Sequence, residues 1–300
     1  MTDPTVSIII PAYNTAPTLP RAIDSVLGQT FSDYEILVVD DGSKDDVNAA
    51  VAPYGERVHL IRQSNAGASA ARNNGARHAR GRYLAFLDAD DFWHPLKLEL
   101  QVAAFRERPD IALCWTKGTR WDRAEPPAPG VYPDFAMELK RPEYVDNFRE
   151  IFISPYLGTP GVMMSREVFE RVRGFREDLA SAEDIDLWLR ATYGAVAARI
   201  RAPLFYVVVS PGGLTHTLKD KAFRNNLRVI EEFCANNPEF SRREGSTVRR
   251  ARAKVYENWG SDELVRGNAS SARSLLARSV RDRPSLRAVI LLSKALIGRV

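Results

Sequence analysis

The chain has 300 residues, 45% of them hydrophobic and 27% charged, enough to bury one large domain or one domain with an appendage. Its two cysteines, Cys114 and Cys234, lie far apart, which excludes a disulfide framework and a cysteine metal site. The opening residues MTDPTVSIII read as a strand rather than a secretion signal, and no apolar run reaches the roughly 18 residues of a membrane span. We therefore expect a cytoplasmic protein.

The net charge of +4 is distributed unevenly along the chain. Residues 241–300 contain 14 Arg and Lys against 5 Asp and Glu, a net charge of +9, which leaves −5 for residues 1–240. A basic tail favours contact with an anionic surface such as the inner face of a membrane, although solvated helix faces produce the same pattern. We expect no nucleic-acid partner.

Strands and helices alternate through the first half of the chain. Short apolar runs predict strands at 5–13, 34–43, 57–63, 82–90 and 111–118, and helical spacing predicts helices at 18–30, 45–55, 66–80 and 95–108. Such alternation indicates an α/β fold with a mostly parallel central sheet flanked by helices. In sheets of this kind, ligands bind beyond the carboxyl ends of the strands.

The second half is less regular. Residues 119–146 are rich in proline and charge and predict an irregular surface segment. Strands at 159–165 and 203–209, with helices at 166–172 and 185–194 between them, then return to the alternating pattern. Beyond residue 217 the sequence predicts helices only, so we divide the chain into a domain at 1–216 and a helical C-terminal extension at 217–300.

An acidic cluster, Asp88, Asp90 and Asp91, follows the strand predicted at 82–90. Clustered carboxylates at a strand end suit Mg²⁺ or Mn²⁺, which prefer oxygen ligands. Because side chains alternate along a strand, we expect one or two of the three to bind the ion. The alternative is a solvated turn whose aspartate caps the next helix.

Two further polar groups accompany this cluster. Asp40 and Asp41 end the strand at 34–43 and could accept hydrogen bonds from a base or a ribose, although Asp-Gly-Ser is also a common turn. Arg72 lies in a helix of small residues, where its guanidinium could reach phosphates or base carbonyls. The alternative for Arg72 is a surface ion pair.

Glu183 and Asp184 begin the helix that carries Trp188 one turn later. A carboxylate that leans toward a partly dry pocket gains proton affinity, as a general base requires. The alternative is structural, because Ser181 and Asp184 have the spacing of a capping box.

Two nucleotide-binding motifs are missing. The first strand is not followed by Gly-x-Gly-x-x-Gly, and no Gly-Lys-Ser/Thr occurs in the chain. Their absence argues against a Rossmann dinucleotide site and a P-loop.

Six segments in series, taken together, resemble the family 2 glycosyltransferases over roughly residues 5–215. They are PAYN at 11–14, VVDDGS at 38–43, NAGASAARN at 65–73, FLDADD at 86–91, GFREDL at 174–179 and AEDIDLWLR at 182–190. The resemblance implies the GT-A fold, with a nucleotide-binding part at about 1–117 and an acceptor-binding part at about 118–216.

The resemblance also implies roles for individual residues. Nucleotide-binding positions would be Pro11, Ala12, Tyr13, Asn14, Asp40, Asp41, Arg72, Asp88 and Ala89. Asp90 would be the metal ligand of the Asp-x-Asp motif, and Gly174 and Phe175 would border the donor sugar. Asp184 would be the catalytic base, with Glu183 beside it.

The implied reaction is inverting transfer of a sugar from a nucleotide sugar, by family habit a UDP-sugar, assisted by Mn²⁺ or Mg²⁺. The implied acceptor is a glycan or a lipid-linked oligosaccharide in cell-surface polysaccharide synthesis. One departure concerns the metal. Where the family often has a histidine ligand after the last strand, this chain has Ser210, and His216 six residues later could substitute for it.

Two other readings and one open question remain. A nucleotidyltransferase would use similar acids but usually needs a basic, glycine-rich first loop, which PAYNTAPTLP lacks. The other alternative is a non-catalytic sugar-nucleotide-binding or scaffold protein.

In the tail, residues 281–300 can form a helix with Leu286, Val289, Ile290 and Ile297 on one side. That side suits peripheral contact with a membrane, and it suits packing on the protein itself equally well.

Overall fold

The computed structural model describes residues 3–122, 132, 142–146, 148–154, 157–208 and 219–297. The described residues fall into two compact units. One lies within Met1–Phe148 and Leu157–Pro211, and the other lies within Arg149–Tyr156 and Gly212–Val300.

The first unit is built from alternating strands and helices. Its strands are β1 (Val6–Ala12), β2 (Tyr34–Asp40), β3 (Val58–Arg62), β4 (Tyr83–Phe86), β5 (Phe92–Trp93), β6 (Leu113–Trp121), β7 (Glu143–Val145), β8 (Val162–Ser165) and β9 (Ala197–Val208). Its helices are α1 (Leu19–Leu27), α2 (Val47–Val51), α3 (Ala68–His78), α4 (Lys97–Glu107), α6 (Arg166–Arg171) and α7 (Glu183–Thr192), with 3-10 turns at Ala52–Arg57 and Thr159–Gly161. Helix α5 (Phe148–Ile153) begins at the boundary between the units.

The nine described strands form one sheet in the order β3-β2-β1-β4-β8-β6-β9-β5, with β7 paired to β9. Strands β3, β2, β1 and β4 are parallel to one another, and β6 is parallel to β9. Strand β8 is antiparallel to both β4 and β6, and β5 and β7 are antiparallel to β9. The predicted α/β sheet with flanking helices is confirmed, with parallel pairing concentrated in its first half.

Apolar periodicity explains the packing of this sheet. Strand β1 lies in the middle of the parallel part, and Val6, Ile8, Ile9 and Ile10 are fully buried, as a strand covered on both faces requires. Helix α1 buries Leu19, Ala22, Ile23 and Val26, the side predicted from its helical spacing.

The chain around the acidic cluster differs from the strand predicted at 82–90. Strand β4 ends at Phe86, and a turn closed by the Asp91 amide on the Asp88 carbonyl (3.0 Å) follows. The chain then forms the short strand β5, where Phe92 and Trp93 pair with Tyr206 and Phe205 of β9. Carboxylates placed inside the sheet would be desolvated, so the strand ends before they begin.

The second unit is helical, as predicted. Its helices are α8 (Lys219–Asn236), α9 (Pro238–Arg243), α10 (Gly245–Val265), α11 (Ala269–Asp282) and α12 (Leu286–Ile297). Most of α5 belongs to this unit, because Phe152 packs against Phe233 and Phe240 with ring centroids 5.5 and 5.0 Å apart.

Helix α12 packs through both small and large side chains. Ala288 and Ala295 are buried, and Ala295 joins an apolar cluster with Leu264, Ala272 and Leu276, against which Leu291 and Leu292 pack partly buried. Five other apolar side chains of α12 are exposed: Leu286, Val289, Ile290, Leu296 and Ile297. Among the described residues, no helix combines the length and hydropathy that crossing a membrane demands.

Candidate active site

The predicted polar segments meet at one edge of the sheet. Strands β1, β2 and β4 run parallel, with Ala12 opposite Asp40 and Ile9 opposite Phe86. The segments that follow these strands therefore emerge side by side at their carboxyl ends.

Asp40 and Asp41 organise the chain at this edge. Asp41 is buried, and its carboxylate accepts hydrogen bonds from the Gln63 side chain and the amides of Ala66 and Gly67, each at 2.8 Å. Asp40 accepts a hydrogen bond from the Ser43 amide at 2.9 Å. This contact is the one expected if Asp-Gly-Ser forms a turn. Asp41 thus fixes the segment that leads into α3.

The residues after β1 divide into exposed and buried positions. Tyr13 is 46% exposed, whereas the Ala12 side chain is in the core. The Asn14 amide donates to Ser43 Oγ at 3.0 Å, and Asn14 Oδ1 accepts from the Lys44 amide at 2.8 Å. The Ala89 methyl is also buried in the core, so Ala12 and Ala89 could meet a ligand only through their backbone.

Arg72 joins two segments that lie far apart in the sequence. Its side chain is buried, and its guanidinium donates to Asp88 Oδ1 at 2.6 Å and to Glu183 Oε1 at 3.1 Å. Burial lowers the pKa of Arg72, but the two carboxylates outweigh it, and the net pKa is raised. The alternative of a surface ion pair is therefore wrong about the arginine, which is buried, although its two carboxylate partners remain partly exposed.

The ring of Phe175 packs against the guanidinium of Arg72. Its ring is buried, lies 5.4 Å from the Arg72 guanidinium carbon, and packs edge-on against Phe86 at 5.1 Å. A guanidinium over an aromatic face is attracted to the ring electrons. The Phe175 ring is therefore part of the core and contacts the charged group of Arg72 from the buried side.

Asn73, which the sequence reading did not single out, holds the loop at Gly174 and Phe175. Its side-chain amide donates to the Phe175 carbonyl at 2.8 Å and accepts from the Phe175 amide at 2.9 Å. Gly174 has φ +62°, and a Cβ there would lie 2.6 Å from Asn73 Oδ1. The position of Asn73 directly after Arg72 is the only sequence signal for this role.

Arg190 and Asp186 hold the same loop from the other side and were also missed. Arg190 donates to the Asp186 carboxylate and to the carbonyls of Val172 and Gly174, the last at 2.8 Å. Their i, i+4 spacing in α7 was visible in the sequence, but such a spacing is common on solvated helices.

Glu183 and Asp184 are in different environments although they are adjacent. Glu183 pairs with Arg72, while Asp184 Oδ1 accepts a hydrogen bond from the Ile185 amide at 2.7 Å. Burial, followed by repulsion from Glu183, raises the pKa of Asp184 to about 7. Helix α7 begins at Glu183 after Ala182, with no side-chain cap, so the Ser181–Asp184 capping box does not form.

The acidic turn after β4 is crowded with negative charge. Asp88 is paired with Arg72, and Asp91 is buried and accepts from the Val208 amide at 3.1 Å, with its pKa raised to about 8 mainly by burial. Burial, with a further contribution from Asp88, also raises the pKa of Asp90. Arg21 donates to the Asp90 backbone carbonyl, and its positive charge partly offsets these effects on the Asp90 carboxylate.

This turn fits a divalent cation at Asp90. The Asp90 carboxylate has no salt-bridge partner among the described residues, and neighbouring negative charge disfavours its ionised form. An added cation would reverse that effect, and aspartate oxygens are the ligands that Mg²⁺ and Mn²⁺ prefer. Ser210 and His216, the other positions considered for the metal, lie outside the described residues.

A different acidic group lies in the helical unit. Asp220, Asp262 and Glu263 have carboxylate oxygens within 4.8 Å of one another. The guanidinium of Arg266 lies 3.0, 2.8 and 3.5 Å from them, so this group already has its positive partner.

A family model and a curated relative each match more than half of the chain. The model of the family described as glycosyl transferase family 2 matches residues 7–173. The glycosyltransferase EpsJ of Bacillus subtilis is 32% identical over 232 residues, which cover 75% of this chain and 67% of EpsJ.

A second relative has a more specific name. The Escherichia coli protein WfgD, named a UDP-Glc:alpha-D-GlcNAc-diphosphoundecaprenol beta-1,3-glucosyltransferase, is 44% identical over 105 residues. This match covers 34% of the chain and 42% of WfgD, less than two thirds of that relative.

A solved structure confirms the predicted GT-A fold. Residues 1–349 of S. aureus TarS superpose with a TM-score of 0.68 and 17% identity, over 98% of this chain and 87% of that chain. The same TarS fragment has been solved in complex with UDP-GlcNAc. From the family model and the EpsJ match together, the chain belongs to glycosyl transferase family 2.

Proposed function

We propose that the protein transfers a sugar from a nucleotide sugar, with UDP-sugars favoured, to a hydroxyl of a glycan or lipid-linked acceptor, with inversion at the anomeric carbon. The name of WfgD and the TarS complex with UDP-GlcNAc support a UDP-sugar donor. The name of WfgD also supports an acceptor carried on a lipid diphosphate. We further propose a role in cell-envelope polysaccharide synthesis.

The observation that carries this proposal is the position of Arg72. One buried guanidinium links Asp88, next to the proposed metal ligand Asp90, to Glu183, next to the proposed base Asp184. The donor and base segments are therefore held in a fixed relation, which is what a reaction between two bound substrates needs.

In the proposed mechanism, Asp184 removes the proton from the attacking acceptor hydroxyl. Its pKa, raised to about 7 by burial and by Glu183, suits a base at neutral pH. The Glu183 carboxylate is engaged by Arg72, so it orients that arginine and leaves the proton transfer to Asp184. Arg72 offsets negative charge as the nucleoside diphosphate leaves.

The nucleotide contacts follow the edge of the sheet. We propose that the exposed Tyr13, the backbone of 11–14 and Asp41 face the base, and that Asp88 lies near the ribose. Asp90 would hold Mn²⁺ or Mg²⁺, which when bound neutralises charge on the diphosphate. Residues 1–117 would bind the donor, residues 118–216 the acceptor, and residues 217–300 would form the extension.

The test is release of nucleoside diphosphate from a panel of UDP-, dTDP- and GDP-sugars with acceptor extracts. We expect release from one donor class, loss with EDTA, and recovery with Mn²⁺ or Mg²⁺. Asp90→Asn should weaken Mn²⁺ binding at least ten-fold, because it removes the proposed anionic ligand, while the exposed Asp178→Asn should not. No release from any donor, or metal-independent release, would contradict the proposal.

A further inference from the structure

The helical unit contains a cavity of about 380 Å³ that none of the preceding assignments uses. It is lined by one side of each of three helices. Helix α8 contributes Arg224, Leu227, Arg228 and Glu231, helix α10 contributes Tyr256 and Trp259, and helix α11 contributes Ser271, Ser274, Leu275 and Arg278. The i, i+3, i+4, i+7 spacing in α8 and α11 puts each set on one side of its helix.

The lining is positively charged. Arg224 lies with its guanidinium carbon 5.1 Å from the Trp259 ring centroid, and Arg278 lies 5.8 Å from that of Tyr256. Within the part of the chain that the structure describes, neither guanidinium is paired with a carboxylate. Arg228 pairs with Glu232 at 2.7 Å, and Glu231 is the one carboxylate in the lining.

The Trp259 ring forms part of the cavity wall. Trp259 is only 8% exposed, and Phe223 stacks on its indole with centroids 5.8 Å apart, which holds the ring in place. The indole N–H is buried and has no hydrogen-bond acceptor among the described residues, so the aromatic ring, and not the N–H, faces the cavity.

We propose that this cavity binds the phosphate group of a small phosphate ester or diphosphate. Arg224 and Arg278 supply charge-assisted donors, and the hydroxyls of Ser271 and Ser274 supply neutral ones. Guanidinium groups match the geometry of phosphate oxygens, and the volume admits a phosphorylated sugar but not a large polymer. The anion can arrive as a free phosphate compound or as the head group of a lipid, and the test separates these sources.

The experiment is isothermal titration calorimetry on the full chain with saturating UDP, so that the proposed donor site is occupied. The probes are pyrophosphate, glucose 1-phosphate, uncharged glucose and a short-chain phosphatidic acid below its micelle concentration. We expect binding of at least one phosphorylated probe, none of glucose, and a loss of at least ten-fold in affinity for the Arg224→Gln/Arg278→Gln variant. The tightest probe identifies the source of the anion.

Two further variants guard against misfolding. Arg281→Gln changes an exposed arginine of α11 outside the lining and should bind as the wild type does. Trp259→Phe keeps an aromatic ring in the wall and removes only the buried N–H, so it should bind within about three-fold of the wild type. Equal affinity in wild type and the double arginine variant, or no phosphorylated probe bound below 10 mM, overturns the proposal. Neither result depends on whether the protein transfers a sugar.

Discussion

At the scale of single residues, the site depends on the fork of the Arg72 guanidinium. Two different nitrogens of one planar group reach Asp88 and Glu183, and the Phe175 ring lies 5.4 Å from the guanidinium carbon. A lysine ammonium is a compact charge without a planar face. It cannot hydrogen-bond two carboxylates that lie in different directions and also stack on an aromatic ring. The arginine is therefore required for its shape as well as its charge.

We predict that Arg72→Lys lowers kcat at least 100-fold although the charge is conserved. One of the two partly buried carboxylates would lose its partner, and because water still reaches both of them the cost is about 1 kcal/mol of folding stability. Turnover and urea unfolding measure the two effects. The matched control is Arg77→Lys, at an exposed arginine of the same helix. It should change neither kcat nor the free energy of unfolding by more than two-fold. Near-normal turnover of Arg72→Lys would exclude the shape argument.

A second prediction concerns Asp184 and pH. If it is the base, only its ionised form is active, so kcat/KM should fall about ten-fold per pH unit below its raised pKa of about 7. Asp184→Asn should abolish transfer at every pH while UDP binding changes less than three-fold. A pH–rate series for the wild type and Asp178→Asn, an exposed aspartate of the preceding loop, measures this. A profile flat from pH 5 to 8 would remove Asp184 from the role.

The pH dependence of thermal stability distinguishes loss of the catalytic base in Asp184→Asn from misfolding of that variant. Because the folded-state pKa of Asp184 is raised above its value in the unfolded chain, protonation stabilises the fold, and that stability is lost as pH rises through about 7. Asparagine stays neutral and can still accept from the Ile185 amide. Asp184→Asn should therefore melt at a higher temperature than wild type at pH 8, with the difference shrinking toward pH 5. An inactive variant that is less stable at pH 8 would point to misfolding instead.

The residue types at this site could be predicted from the sequence, but their pairings could not. Acids after apolar strands and an arginine in a small-residue helix are visible as local patterns. The contact of Arg72 with Glu183, 111 residues away, depends on how α7 returns to the sheet. The contacts of Asn73 with the Phe175 backbone were likewise invisible, because an asparagine side chain carries no periodic signal.

At the scale of elements, the loop between α6 and α7 fixes the site. It is held by Asn73 of α3 on one side and by Arg190 of α7 on the other. Gly174, at the centre of these contacts, combines a positive φ with almost no space for a side chain. The loop is therefore rigid at the place where α7 is directed toward Arg72.

We predict that Gly174→Ala destabilises the protein more than Gly194→Ala does. Both glycines have positive φ, +62° and +73°, which costs an alanine about 1–2 kcal/mol. A Cβ at Gly194 meets nothing within 4 Å, whereas one at Gly174 meets Asn73 and Phe169 at 2.6 and 2.9 Å. Crowding should add about 1–3 kcal/mol at Gly174 alone, measured by urea unfolding. Equal losses for the two variants would show that crowding has no part in the effect.

Element boundaries were predictable where the pattern is purely apolar and not where acids follow it. Strands β1, β2 and β3 were located from their apolar runs. The strand predicted at 82–90 instead ends at Phe86, since Asp88–Asp91 form a turn, and β5 is too short to give a pattern. Strand β9, predicted only at 203–209, begins at Ala197, because Arg199 and Arg201 obscure its apolar character while their guanidinium groups pair with Glu143.

At the scale of the whole molecule, charge and apolar surface are both concentrated toward the C-terminus. Residues 241–300 carry a net charge of +9, and α12 contains five of the nine large hydrophobic side chains that are exposed among the described residues. The sequence left open whether this helix packs on the protein or contacts a membrane. Ala288, Ala295, Leu291 and Leu292 account for its packing, while Leu286, Val289, Ile290, Leu296 and Ile297 stay exposed.

Peripheral membrane contact through α12 is the last prediction. Leu286 and Ile290 lie one turn apart on the exposed side of the helix. Burying either side chain in a bilayer interface would contribute about 1.5–3 kcal/mol to binding. Leu286→Glu/Ile290→Glu should reduce retention by vesicles containing anionic lipid at least ten-fold. Val265→Glu places the same acid at a residue that is 78% exposed in α10, and should have little effect. Because the basic residues add an electrostatic part, retention of the wild type should also fall as salt rises from 50 to 500 mM. Cosedimentation measures all of these, and equal retention of the two glutamate variants would leave the exposed side of α12 without a role at the membrane.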